Sequence, residues 1–311
     1  MIRSFLPTDL IGFFFQGRAL PNQAKTKDNL GKKETYLSLV GAFLIRWFVQ
    51  DGWFIWVSTD KASLQGLASA RNRPHSNVWE VDYLLFNEKD VENCQVLLEK
   101  LSLIVGERGR ARKLFLRLSV ETPLADAAKG AGFIPYLHEH LYHLEKEKCQ
   151  TIAPRSASSY YPRLRKAGDE YRLFELFQAL APASVRRVEG MTFEEWQGIK
   201  DMGRGKSWER EWVYEKGDKF AGWLRVSAAG NIGQFEVMLH PEEEEVLVQL
   251  IEHSLNSLSH CRHLLCLAPS YLERMGRLLE AQGFERVAEY SVLVKELALL
   301  AQEPCLAPLQ A

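Results

Sequence analysis

The sequence predicts an α/β (α+β) chain built as two tandem domains, each a mixed, twisted sheet flanked by helices. Three observations predict it. The same order of strand-like and helix-like runs occurs twice. Each copy opens on an Arg-x5-Asp spacing, Arg3/Asp9 and Arg163/Asp169. Each copy ends its last helical run on a Gly-Phe pair, Gly132-Phe133 and Gly283-Phe284. Strands and helices mixed in this way pack as layers around one sheet. A chain of 311 residues has room for two such domains, each with its own core.

After each opening comes an apolar, helical stretch. Trp53 to Ser58 then reads as a strand, Asp60-Lys61 as a turn and Leu64 to Ala70 as the return strand. Trp212-Val213-Tyr214, the turn Lys216-Gly217-Asp218 and Ala221 to Val226 repeat that hairpin. Val78 to Phe86 and Ile232 to Leu239 are the next strands. Val91, Leu97, Leu98, Leu101 and Val105 fall at helical spacing, as do Val246, Leu247, Leu250, Ile251 and Leu255. Leu114 to Val120 and His263 to Ala268 are short buried strands. Ala125 to Ala131 and Leu272 to Gln282 are second helices. The glycine after each fits a left-handed helix stop, with the Phe docking back on the core. Leu137 to Leu144 and Val287 to Val294 are the closing strands.

Pro154 and the run Ser156-Ala157-Ser158-Ser159 have loop chemistry. The expected domains are residues 1–148 and 162–300, joined by a linker at 149–161 and followed by a tail at 301–311.

A net charge of −1 gives no electrostatic case for nucleic acid or an anionic membrane. Five scattered cysteines without a CxxC pair argue for a reducing compartment, and the chain is expected to be cytoplasmic. Phe13-Phe14-Phe15 is not followed by a small-residue cleavage site, and no run reaches the roughly 18 apolar residues of a membrane helix. His260, Cys261, His263 and Cys266 lack a recognisable zinc spacing, so no metal is expected. Most of the eight tryptophans sit in strand- or helix-like runs and are expected in core or inter-domain packing rather than in a ligand box.

The element order, the Arg-x5-Asp openings, Leu239-His240-Pro241 and the closings Ala128–Phe133 and Leu279–Phe284 resemble the GNAT superfamily (Gcn5-related N-acetyltransferases), here in tandem. The resemblance implies acetyl-CoA or another acyl-CoA bound in a splay beside the fourth strand. It implies a small-molecule or protein amine as acceptor. It also implies a pyrophosphate loop of Gln/Arg-x-x-Gly-x-Gly/Ala at the next helix start, where glycines and the helix N-terminus meet the phosphates. Here that stretch is Lys89-Asp90-Val91-Glu92-Asn93-Cys94 in the first copy and His240-Pro241-Glu242-Glu243-Glu244-Glu245 in the second. The tyrosine that serves the family as general acid is replaced by Ala128 and Leu279.

Alternation puts Glu80, Asp82 and Leu84 on one side of the fourth strand and Val81, Tyr83 and Leu85 on the other. Gln234 and Glu236 take the same relative places in the second copy. Acids in an apolar strand suggest a wet cleft, where a carboxylate can serve as general base toward an amine. Glu80, Asp82 and Glu236 are therefore the catalytic candidates. Leu84, Leu85 and Phe86 are candidates to hold the pantetheine, and Lys89 to face the phosphates. Lys89, and the acid run in the other copy, direct this reading to the first half. A second reading is a silent GNAT-fold protein whose cleft binds a metabolite or a protein partner. A third is a Fem-type transferase using aminoacyl-tRNA, which the neutral charge opposes.

Overall fold

The computed structural model describes residues 1–9, 20–31, 36–49, 52–60, 63–73, 77–86, 90–146, 160–200 and 208–298. The first half contributes β1 (Ile2–Ser4), α1 (Tyr36–Val49), β2 (Trp53–Asp60), β3 (Ser63–Asn72), β4 (Val78–Phe86), α2 (Val91–Glu107), β5 (Lys113–Ser119), α3 (Leu124–Gly130) and β6 (Ile134–Glu145). The second contributes β7 (Tyr161–Leu164), α4 (Glu170–Leu180), α5 (Ala183–Glu189), α6 (Phe193–Lys200), β8 (Trp208–Lys216), β9 (Lys219–Ala229), β10 (Ile232–Leu239), α7 (Val246–Ser257), β11 (His263–Pro269), α8 (Glu273–Ala281) and β12 (Glu285–Glu296).

The repeated openings fold alike. Arg3 donates to both carboxylate oxygens of Asp9 at 2.8 and 2.5 Å, and Arg163 to those of Asp169 at 2.8 and 2.9 Å. In each, the acid also accepts a backbone N–H from three residues earlier, Leu6 at 2.8 Å and Lys166 at 2.7 Å. A bidentate clamp plus a backbone bond fixes the corner where the first strand ends.

The helix stops repeat as well. Gly132 and Gly283 both have φ of 87°, a conformation that favours glycine. Phe133 N–H bonds Ala128 C=O and Phe284 N–H bonds Leu279 C=O, each at 3.0 Å, closing Schellman turns. Both phenylalanines are buried.

The twelve described strands form one sheet in the order β1-β2-β3-β4-β5-β12-β6-β11-β10-β9-β8-β7. The closing strands are exchanged: β12 pairs with β5, and β6 pairs with β11. The two also pair with each other at the centre, so one ladder runs through both halves. β4–β5 and β10–β11 are parallel pairs, the others antiparallel. Helices α2 and α3 cover one face of the first half, and α7 and α8 the corresponding face of the second. On the opposite face α1 covers β2–β4. There α4–α6 bury Leu173, Leu176, Phe177, Val185 and Trp196 against strands of both halves, including Val78, Phe115 and Val292. No described helix is long and apolar enough to cross a membrane.

Candidate functional site

Each half has a place where two parallel strands part. In the first, β4 and β5 pair only from Val78/Lys113 to Glu80/Phe115. The chain itself fills the gap beyond. Gln23 N–H donates to Leu84 C=O at 2.9 Å, Leu84 N–H donates to Asn22 Oδ1 at 3.0 Å, and Asn22 bridges Leu85. On the other side Lys25 N–H donates to Arg117 C=O at 2.9 Å, and Ala24 between them is fully buried. Residues 22–25 thus tie β4 to β5 like a short extra strand. Leu84, Leu85 and Phe86, expected to hold pantetheine, are fully buried, Leu84 and Phe86 in the core that also takes Ala24 and Leu85 in the core under α1, and Lys89 lies outside the described residues.

The strict alternation expected for β4 fails at one residue. Ala70 of β3 faces Val81 and Ser69 faces Tyr83, leaving Asp82 as the extra residue of a β-bulge. The bulge reverses the parity, so Trp79, Val81, Leu84 and Phe86 share one core. Leu84 is therefore on the opposite side from Glu80. These acids do not face solvent: Glu80 and Asp82 are each 3% exposed. Arg71 lies 2.5 Å and Arg73 3.3 Å from the two oxygens of Glu80, and Arg71 reaches Asp28 at 2.7 Å. Arg46 Nη2 stands 2.8 Å from Asp82 Oδ2 without aligned N–H geometry, an ion pair rather than a hydrogen bond. Burial raises the Asp82 carboxyl above its usual range, and Arg46 and Arg71 offset this only in part. The charges of both acids are thus met by arginine rather than by water.

In the second half β10 and β11 pair from Ile232/His263 to Phe235/Cys266 and then part. Among the described residues no backbone segment bridges the gap. β10 has no bulge against β9, so Gln234, Glu236 and Met238 share a face. That face borders a cavity of about 160 Å³ under α4–α6. A volume of this order holds a benzene-sized group. Its walls include Glu236, Met238, Leu267, Tyr271, Trp196 and Trp223, with Tyr136 and Glu139 supplied by the exchanged strand β6. Two of the tryptophans placed in packing by the sequence, Trp196 and Trp223, thus also line this space.

The charges around it are paired in steps. Arg225 Nη2 lies 2.8 Å from Glu236 Oε1, and Lys27 Nζ 3.1 Å from Glu236 Oε2. Burial alone would lower the Arg225 guanidinium, but Glu236, then Glu209, outweigh it and hold it above its usual value. Arg117 Nε donates to Glu139 at 2.6 Å. Tyr136 Oη donates to Glu189 Oε1 at 2.6 Å, and burial pushes both groups up. Tyr271, at the start of the turn into α8, is also pushed up by burial and then by Glu189 and Glu139. It is therefore a phenol that keeps its proton.

Beyond β10 a 3-10 turn, Pro241–Glu243, leads into α7, with His240 Nδ1 accepting Glu242 N–H at 3.3 Å. Glu243 accepts from Lys216 at 2.8 Å and from Tyr160 at 2.8 Å, and these bonds hold its carboxyl below the usual range. Arg274 pairs with Glu244. Among the described residues no group of three or more His, Cys, Asp and Glu is placed to hold a metal.

Of the catalytic candidates, Glu236 alone meets the cavity, while Glu80 and Asp82 belong to the arginine cluster. Sequence reading did not single out Lys27, Tyr271, Glu189 or Arg225. Arg225 could have been found by the rule that found Glu236, a charge inside an apolar strand. Lys27, Tyr271 and Glu189 sit in a turn, a loop and a helix end, where such residues are ordinary.

No protein-family model matches the chain, and no curated protein sequence does. Solved structures do match. A tandem GNAT protein from the clavulanic acid biosynthesis pathway superposes with a TM-score of 0.55 at 14% identity, over 95% of this chain and 98% of its own. A GCN5-related N-acetyltransferase from Sphaerobacter thermophilus gives 0.60 at 15% identity, over 95% of each chain. At these identities the likeness is one of fold.

Proposed function

We propose that this chain, whose fold is that of the tandem GNAT proteins, transfers an acyl group from an acyl-CoA to an amine, and that the second half carries the reaction. One observation carries the choice of half: the splay of the first is laced by residues 22–25, whereas that of the second opens onto the cavity at Glu236.

The residues present fit the reacting end of an acyl thioester. The parted strands β10 and β11 form a slot for the pantetheine arm, which would lie along Val237 to Leu239. At the far end two acids of the turn are already neutralised by Lys216 and Arg274. The site therefore grips the arm rather than the phosphates. The bound donor would supply an activated carbonyl beside Glu236. Glu236, oriented by Arg225, accepts a proton from an amine at Oε2, the oxygen now facing Lys27. Tyr271 holds a proton at Oη for the departing sulfur. Trp196, Trp223 and Phe177 give the cavity an apolar wall. The buried, unpaired Cys94, Cys261 and Cys266 suit a cytoplasmic setting.

Calorimetric titration with acetyl-CoA tests the reading. Micromolar binding is expected in the wild type and in Lys89→Glu, and its loss in Met238→Trp, which fills the slot. No binding at millimolar acetyl-CoA would overturn it.

A further inference from the structure

We propose that Lys27 is itself an acyl acceptor, so that the protein modifies its own first half at the site of its second. The inference rests on the reading of the second half as the acyl-transfer site.

Lys27 is brought to that site by a built support. The segment before it is held in the first-half splay by Asn22, Gln23 and Lys25. The turn that carries it is closed by Asn29, whose Oδ1 accepts Thr26 N–H at 2.8 Å and whose N–H donates to Thr26 C=O at 3.1 Å. Asp28, next to it, is pinned to Arg71 at 2.7 Å. Three residues on, Leu30 C=O accepts from the Gln234 side chain of β10 at 3.3 Å, and Leu30 is buried with Leu141, Leu265 and Tyr290. The chain thus crosses from one half to the other with Lys27 at the crossing. Its ammonium stands 3.1 Å from Glu236 Oε2, within the distance at which a general base takes a proton. Among the described residues it is the lysine that lines the cavity. At 30% side-chain exposure it is reached by solvent, so it is not a sealed core pair. An amine already held beside the base needs no binding step, which is the advantage of an intramolecular acceptor.

The step balances with the acyl-CoA as co-reactant. Glu236 takes one proton from the Lys27 ammonium and passes it to solvent. The free amine forms an N–C bond to the acyl carbonyl as the C–S bond breaks. The second amine proton goes to the sulfur through Tyr271, leaving an amide on Lys27 and CoA as the free thiol. No electrons are gained or lost.

The full-length protein is incubated with acetyl-CoA and each lysine's acetylation is followed by peptide mass spectrometry, while binding is measured by calorimetry. Exposed Lys129 reports non-specific acetylation. Acetylation of Lys27 at least ten-fold faster than Lys129 is expected, falling to the Lys129 rate in Glu236→Gln. Lys27→Arg, which keeps a cation opposite Glu236, should bind acetyl-CoA and incorporate one acetyl group fewer. Binding with Lys27 modified no faster than Lys129 overturns this proposal and leaves the transferase reading standing. Absence of binding overturns both.

Discussion

Replacing Asn22 by Ala should cost the fold about 2–3 kcal/mol, far more than a loop position ordinarily does. Asn22 Oδ1 accepts two backbone N–H groups, Leu84 at 3.0 Å and Ala24 at 3.2 Å. Both donor residues are fully buried, and Asn22 is 9% exposed. A buried donor left without an acceptor costs about 1–3 kcal/mol. Water entering at the partly accessible Asn22 position would recover some of the second loss. With a urea slope of about 3 kcal/mol/M, the midpoint moves down by close to 1 M. Asn22→Asp keeps an acceptor oxygen but places a carboxylate at this buried position and loses the 3.4 Å donation to Asp82 C=O, so it too should destabilise the fold. Urea titration followed by tryptophan fluorescence reads the midpoint. In parallel, Leu84 N–H should exchange slowly in the wild type and rapidly in Asn22→Ala. A midpoint shift below about 0.2 M, the behaviour of an exposed loop, would refute the claim that this segment closes the first-half splay.

Other outcomes follow from the same structure. The Asp169 carboxyl is lowered to about 2 from 3.8, first by its bond from Arg163. Its stabilisation is fully present above about pH 4 and is lost as pH falls toward 2. The shift amounts to about 2 kcal/mol, reduced to about 1 by solvent around the 28%-exposed Arg163. Asp169→Asn should therefore be less stable than wild type at pH 6 and equal to it near pH 2 in acid titrations. Acetyl-pantetheine should bind within about three-fold of acetyl-CoA, because the turn after β10 offers acids where phosphates would lie. A hundred-fold preference for acetyl-CoA in calorimetry would contradict this. Gly66→Ala would place a Cβ 2.1 Å from the Phe86 ring, so thermal unfolding should show a loss of about 1–3 kcal/mol.

Much of the fold was legible because it rests on local signals. The Arg-x5-Asp corners and the Gly-Phe stops recur in each half, and both proved to be built the same way twice. Exchange of β6 and β12 was not legible, because a closing strand carries the same apolar pattern whichever neighbour it pairs with. The bulge at Asp82 was hidden for a related reason: alternation assumes a regular ladder, and one extra residue reverses every side chain after it. The place of Glu236, an acid in an apolar strand, was legible; its position at a cavity was not. Glu80 and Asp82 gave the same signal; all three acids meet arginine, and only Glu236 also borders a cavity, a difference that tertiary contact alone reveals. The weight on Lys89 came from the phosphate-loop pattern, which says nothing about residues 22–25 closing the first-half splay.

Hydrogen exchange of the intact protein with and without CoA distinguishes a ligand in the second-half splay from one in the first. Protection is predicted for peptides covering residues 236–239 and 267–272, with no change at 82–86. Protection at 82–86, accompanied by faster exchange at 22–25, would show that the ligand displaces the segment and enters the first half, contradicting the account.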